Sequence, residues 1–165
     1  MGSPLMLPGP LADLLNELGY IWPKSDELKL FDLGGSWLGV GGEMRSLQSE
    51  GEAPVATMQA SNAGNDVDAF LAAFRDPERG SEVVRDGSQG SNVVGGGLFV
   101  AAGLVLMLKI VVIVQITILL AQIVAALAAA GPTFGASMAW IPVAKKLASI
   151  AINFALSKVI TALMG

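Results

Sequence analysis

Apolar positions recur at intervals of three and four along most of the chain, which predicts helices. Pro10 to Leu18 reads as a short helix, with proline at its first position and Gly19 at its stop. An aromatic connector follows at Tyr20, Ile21, Trp22 and Pro23, and Ser25 is placed to cap the next helix, with Asp26 and Glu27 at the positive end of its dipole. Leu30, Leu33, Trp37, Val40, Met44 and Leu47 are spaced 3, 4, 3, 4, 3, a heptad seam that predicts a helix packed on a partner. Gly34, Gly35, Gly39, Gly41 and Gly42 lie among them; each costs a helix interior about 1 kcal/mol relative to alanine but lets another backbone approach closely.

Gly51 to Pro54 reads as a break, and a further helix runs from Val55 to a turn at Ser61-Asn62-Ala63-Gly64. Val67, Phe70, Leu71 and Phe74 then form an apolar stripe opposite Asp66 and Asp68, stopped by Asp76-Pro77. The two helices flanking Asn62 and Gly64 are expected to be of similar length and antiparallel. Residues 80–97 hold Gly80, Gly87, Gly90, Gly95, Gly96 and Gly97, and read either as a linker or as the start of one long helix.

From Leu98 to Ala130 the chain is almost wholly apolar, broken by Lys109, Gln115, Thr117 and Gln122. At 1.5 Å per residue this is about 50 Å of helix, more than a hydrocarbon core of about 30 Å. Gly131-Pro132 ends it, and Val143 to Met164 forms a second apolar helix with a narrow polar stripe at Ser149, Asn153, Ser157 and Thr161. These two make a helical hairpin that needs lipid, self-association or a partner to cover it. Lys109 is its sharpest oddity. In lipid it would cost several kcal/mol unless it faced a partner, water or headgroups, so with Gln115 and Gln122 it marks an intramembrane or assembly position, or a snorkelling rim lysine.

Charge divides the chain the same way. All fourteen carboxylates lie between Asp13 and Asp86; with Lys24, Lys29, Arg45, Arg75, Arg79 and Arg85 they leave the first 86 residues at −8. Residues 87–165 carry Lys109, Lys145, Lys146 and Lys158 and no acid, hence +4. The expected organisation is an acidic helical unit over 1–79, the glycine-rich stretch 80–97, and an apolar hairpin over 98–165. The expected fold class is all-α, antiparallel helical hairpins in an elongated bundle.

Composition narrows the chemistry. Of 165 residues, 53% are hydrophobic and 15% charged, against about 25% charged in an ordinary soluble domain; the mean hydropathy is +0.61. With ten basic and fourteen acidic residues, no basic surface exists for nucleic acid. Cysteine and histidine are absent, which removes disulfides, thiolate and imidazole metal sites and serine–histidine triads. Asp66 and Asp68 point to different helix faces, Gly39-Val40-Gly41 lacks a third glycine at Met44, and Ser149 beside Lys145 and Lys146 has no oxyanion motif. No enzyme, cofactor or metal is expected. Gly35 to Gly39 has the spacing of close-packed helices, while Gly131 to Gly135 spans a turn. Residues 1–10 hold Pro4, Pro8 and Pro10 and no base, so a secretory signal peptide is not expected there.

Three stretches together resemble a known family. Residues 11–41 (LADLLNELGYIWPKSDELKLFDLGGSWLGVG) are similar to the opening of long N-terminal domains on actinobacterial polymorphic toxins, including channel- and necrotising-toxin-like proteins. Residues 61–70 (SNAGNDVDAF) resemble the turn and following helix of Esx/WXG-type proteins, although Asn62 stands where tryptophan is usual. Residues 108–139 look like the long third helix of the same domains and the turn after it. The resemblance implies a non-enzymatic helical domain exported through a type VII system, usually paired with another helical Esx-type protein or with itself. Such a domain is secreted or held in the cell envelope by a signal-peptide-independent route. The family's Tyr-x-x-x-acid export signal is not matched, since Tyr20 is followed four residues later by Lys24. On this reading the partner-binding seam is Leu30, Leu33, Trp37, Val40, Met44 and Leu47, the long-helix interface is Ile113, Ile116, Leu120 and Ile123, and Asn62 and Gly64 form the hairpin turn. A second reading takes the 98–164 hairpin as a membrane-inserting, oligomerising element.

Overall fold

The computed structural model describes residues 4–78, 80–130, 133 and 136–164. Among these, all regular structure is helical: α1 (Gly9–Glu17), α2 (Glu27–Ser61), α3 (Asn65–Phe74), α4 (Gly80–Ala128), a 3-10 turn (Ala136–Ala139) and α5 (Trp140–Met164). The expected all-α class with helical hairpins is what forms. The Gly131-Pro132 break and Gly135 lie outside the described residues.

Local chemistry sets the ends. Gly19 closes α1 with φ +83, a conformation that a side chain disfavours. The N-terminus of α2 is capped by Asp26, not by Ser25: the Leu28 N–H donates to Asp26 Oδ1 at 3.1 Å, and the Ser25 carbonyl is used elsewhere. Asn62 and Gly64 lie between the end of α2 and the start of α3. The Asn62 amide donates to the Met58 carbonyl at 2.9 Å, closing the end of α2, and Gly64 takes φ +133. Asp66 and Asp68 sit in the first turn of α3, where they complement the helix dipole.

The expected break at Gly51–Pro54 is helical, and the stretch 80–97, left open between linker and helix, is helical too. α2 passes unbroken through Gly51 and Pro54 as 35 residues. Pro54 deletes one hydrogen bond, to the carbonyl of Glu50, and both residues lie on an exposed stretch of the helix. As a result α3, at 10 residues, is no match in length for α2, and the antiparallel partner of α2 is the first part of α4. Residues 80–97 are the opening turns of α4, a 49-residue helix. α5 begins at Trp140, three residues ahead of expectation, because Pro142 falls in its first turn where a missing N–H is tolerated.

The chain divides into two compact units at a place unrelated to its charge boundary. One comprises Met1–Leu28 and Ala101–Gly165, the other Lys29–Val100. α2 and α4 each contribute to both.

In the second unit, α2 and α4 run antiparallel through their glycines. Phe31 packs on Phe99 with ring centroids 5.8 Å apart. A Cβ on Gly95 would stand 2.9 Å from the Gly34 carbonyl oxygen and from Leu38, and one on Gly87 2.9 Å from the Met44 sulfur. The Ser88 hydroxyl donates to the Gly41 carbonyl at 2.7 Å. Backbone meets backbone along this face at Gly34, Gly41 and Gly95, which is why these positions carry no side chain.

In the first unit, α5 presents Ala144, Ala148, Ile152, Ala155 and Val159 to Leu108, Val112, Ile116 and Leu119 of α4. The 4, 4, 3, 4 spacing of small and β-branched residues allows close helix approach. Leu14 and Leu15 of α1 complete the core, with Leu7, Leu11, Leu18, Tyr20 and Trp22 packed against it. Residues 4–26 therefore form a cover along one side of the α4–α5 pair.

Candidate interaction surfaces

Polar ties fasten that cover. The Lys109 ammonium, with 1% of its side chain exposed, lies 2.6 Å from Glu27 Oε2 and donates to the Ser25 carbonyl at 2.7 Å. Its Nζ is 5.8 Å from the centroid of the Trp22 ring. The other Glu27 oxygen accepts the Leu5 N–H at 2.6 Å. Burial acts to raise the Glu27 pKa, but the Lys109 hydrogen bond and charge with the backbone donors outweigh it, and the net shift is below the ordinary value of 4.5. Farther along, the Tyr20 hydroxyl donates to the Ser149 carbonyl at 3.1 Å, and Lys145 pairs with Glu17. Trp22 Nε1 is buried and makes no hydrogen bond.

Lys109 is thus neither a rim residue nor exposed to a bilayer in this structure; its partner comes from its own chain, 82 residues earlier. The single tyrosine serves as a structural tie. Gln115 and Gln122 are half-buried and border the groove between α4 and α5, on either side of Leu119 and beside Ala144 and Ala148.

The apolar rows expected to bind a partner have different fates. On the long helix, Ile116 is fully buried, Leu120 and Ile123 pack against the same core, and Ile113 is half-buried. Ile116, Leu120 and Ile123 serve the chain's own packing, because the 3.6 period of an all-apolar helix does not say which side α1 and α5 will take. The outward rows are others: Met107, Ile110, Val114 and Ile118 on α4, and Leu147, Ile150 and Phe154 on α5.

On α2 the outcome is reversed. Leu30 and Met44 are half-buried, whereas Leu33, Trp37, Val40 and Leu47 are exposed, Leu47 to 62%. The glycine face has taken the intramolecular contact and turned the leucine–tryptophan seam outward. Leu33, Ser36, Trp37 and Val40 line an open hollow of about 350 Å3 there. Exposed apolar rows at heptad spacing are unusual on a monomer and mark places where other molecules bind. The chain's one Trp-x-Gly triplet, Trp37-Leu38-Gly39, falls within this α2 stretch and not at the α2–α3 turn where Asn62 stands.

Among the described residues no three carboxylates gather to hold a metal. Asp66 and Asp68 are exposed at a helix start, Lys145 pairs with Glu17, and Tyr20 donates to the Ser149 carbonyl. What these side chains assemble is an all-α protein of helical hairpins whose outward features are apolar helix faces. The chain belongs to the WXG100 like domain family, which matches residues 4–161. No curated protein and no solved structure matches it. Proteins of this family are helical and associated with type VII secretion, and generally non-enzymatic, so this chain is a helical protein associated with that system.

Proposed function

We propose that this domain binds a helical partner, an Esx-type protein or a second copy, through the outward seam of α2, and that the pair accompanies an effector through type VII secretion. The observation that carries this reading is the exposure of Leu33, Trp37, Val40 and Leu47 on a helix whose adjacent glycine face is already filled by α4. A heptad row leaves knobs spaced for the holes of another helix. In such a pair the partner or a further segment supplies the acidic export signal that Lys24 interrupts after Tyr20.

The test is co-expression with Esx-type helical chains, followed by size-exclusion chromatography with light scattering. A stoichiometric complex, or a homodimer, that is lost in Leu33→Asp and Leu47→Asp while both variants keep their thermal midpoint supports the reading. A complex indifferent to both substitutions, or a chain that stays monomeric with every Esx-type chain offered, overturns it.

A further inference from the structure

The α4–α5 pair has a covered side and an open one. Leu120 and Ile123 of α4, and Lys145 and Ser149 of α5, face the cover formed by residues 4–26. About half a helical turn away from them lie two bare rows. Ile110, Val114 and Ile118 are 46–48% exposed, and Leu147, Ile150 and Phe154 are 53–63% exposed. The rows meet, since Ile118 and Leu147 line one shallow hollow with Gln115 and Gln122.

Charge decides what fits there. From Gly87 onward the chain has no carboxylate. The carboxylates that pair with lysines of α4 and α5, Glu27 with Lys109 and Glu17 with Lys145, do so on the covered side. The open side is flanked by Lys146 and Lys158, both exposed and, among the described residues, in no ion pair. Helical spacing puts these lysines on opposite margins of the Leu147–Ile150–Phe154 row, and the Lys158 Nζ rests 5.4 Å from the Phe154 ring. A second copy docked face to face would bring cation against cation with no acid to answer. An anionic lipid interface accepts both features, apolar side chains inward and lysines at the headgroups.

We propose that the open face of the α4–α5 pair docks side-on into the surface of an anionic bilayer, leaving residues 4–26 on the water side. Both helices are long and apolar enough to cross a membrane. The Lys109–Glu27 pair and its cover occupy one flank, however, so the structure as folded offers the bilayer a face, not a span.

Flotation of the full chain with phosphatidylcholine vesicles, with and without phosphatidylglycerol, tests this. Binding is expected only with phosphatidylglycerol, weakening with salt. Lys146→Gln and Lys158→Gln should each reduce partition about five-fold, and Ile150→Asp and Phe154→Asp should abolish it without altering the helical circular dichroism. Leu47→Asp, on α2, should leave vesicle binding unchanged, so failure here and failure of the α2 partner reading are separable. No flotation on either vesicle, or equal flotation on neutral ones, overturns the proposal. A homodimer in sedimentation that Ile150→Asp dissociates would overturn it too, naming a second copy as the occupant.

Discussion

The Lys109 ammonium and the Glu27 carboxylate meet at 2.6 Å with 1% and 4% of their side chains exposed. The pair joins the start of α2 to the middle of α4 inside one compact unit, with Leu5, Ser25 and Trp22 around it. Removing both charges from water costs several kcal/mol, so the pair is not a large net source of stability; removing one partner alone is far worse. Lys109→Met and Glu27→Gln should each destabilise the fold by about 3–5 kcal/mol. The double variant should recover most of that loss. Denaturant melts of the three variants check it, and a double variant whose loss equals the sum of the two single losses would show the two residues to act independently.

The same pair predicts a pH dependence. The folded pKa of Glu27 lies below its ordinary value of 4.5, so on acidification the unfolded chain takes up this proton first. Its contribution is complete above that ordinary value and is lost as the pH falls through the lowered folded value. The thermal midpoint of the wild type should therefore drop more steeply below pH 4.5 than that of Glu27→Gln. Parallel curves would mean that Glu27 is as readily protonated folded as unfolded.

The α2–α4 contact sorts glycines into two kinds. A methyl on Gly95 meets a backbone oxygen at 2.9 Å, and neither side can yield without parting the helices. Gly95→Ala should cost about 1–3 kcal/mol. Gly39 and Gly96 have nothing within 4 Å of an added Cβ. Gly39→Ala and Gly96→Ala should stabilise by up to about 1 kcal/mol through helix propensity alone. Thermal melts of the single variants read both signs. The pattern fails if Gly95→Ala melts with the other two.

These glycines also explain what the sequence could disclose. α1, the Asn62–Gly64 turn, α3 and the two long apolar helices were legible because proline, glycine and helical spacing act locally. The face on which α2 packs was not. Hydrophobic periodicity finds buried side chains, whereas here the buried surface is backbone beside Gly34, Gly41 and Gly95. The same blindness left residues 80–97 open between linker and helix. The partner of Lys109 was hidden for a different reason: nothing near it in the sequence is acidic, and its carboxylate comes from the far end of the chain. In α4 the apolar residues go all round, so Ile116 and Ile110 look alike until α1 and α5 are in place.

That last distinction gives a further test. Ile116 is fully buried among Leu108, Val112 and Leu119, and Ile116→Ala should cost about 2–5 kcal/mol. Ile110 is 48% exposed and Leu47 62%. Ile110→Ala and Leu47→Ala should change stability by no more than about 0.5 kcal/mol. Urea denaturation of the three variants decides it; equal losses at all three would mean that the outward rows are buried in solution.

Pro54 provides the cleanest measure of how α2 is held. It sits inside a continuous helix, on an exposed stretch, where proline is about 3 kcal/mol worse than alanine by intrinsic propensity. α2 has neighbours on either side of Pro54. Val55 and Gln59 line a hollow with Phe74, Arg75, Ser81 and Glu82, and Gly41 and Met44 are held by Ser88 and Gly87. If this packing carries the segment, Pro54→Ala should raise the thermal midpoint and slow amide exchange at residues 51–58, while leaving the α2–α4 contact as it is. An unchanged midpoint with unchanged exchange would mean that the segment after Gly51 frays in solution and that α2 is held only as far as its contact with α4.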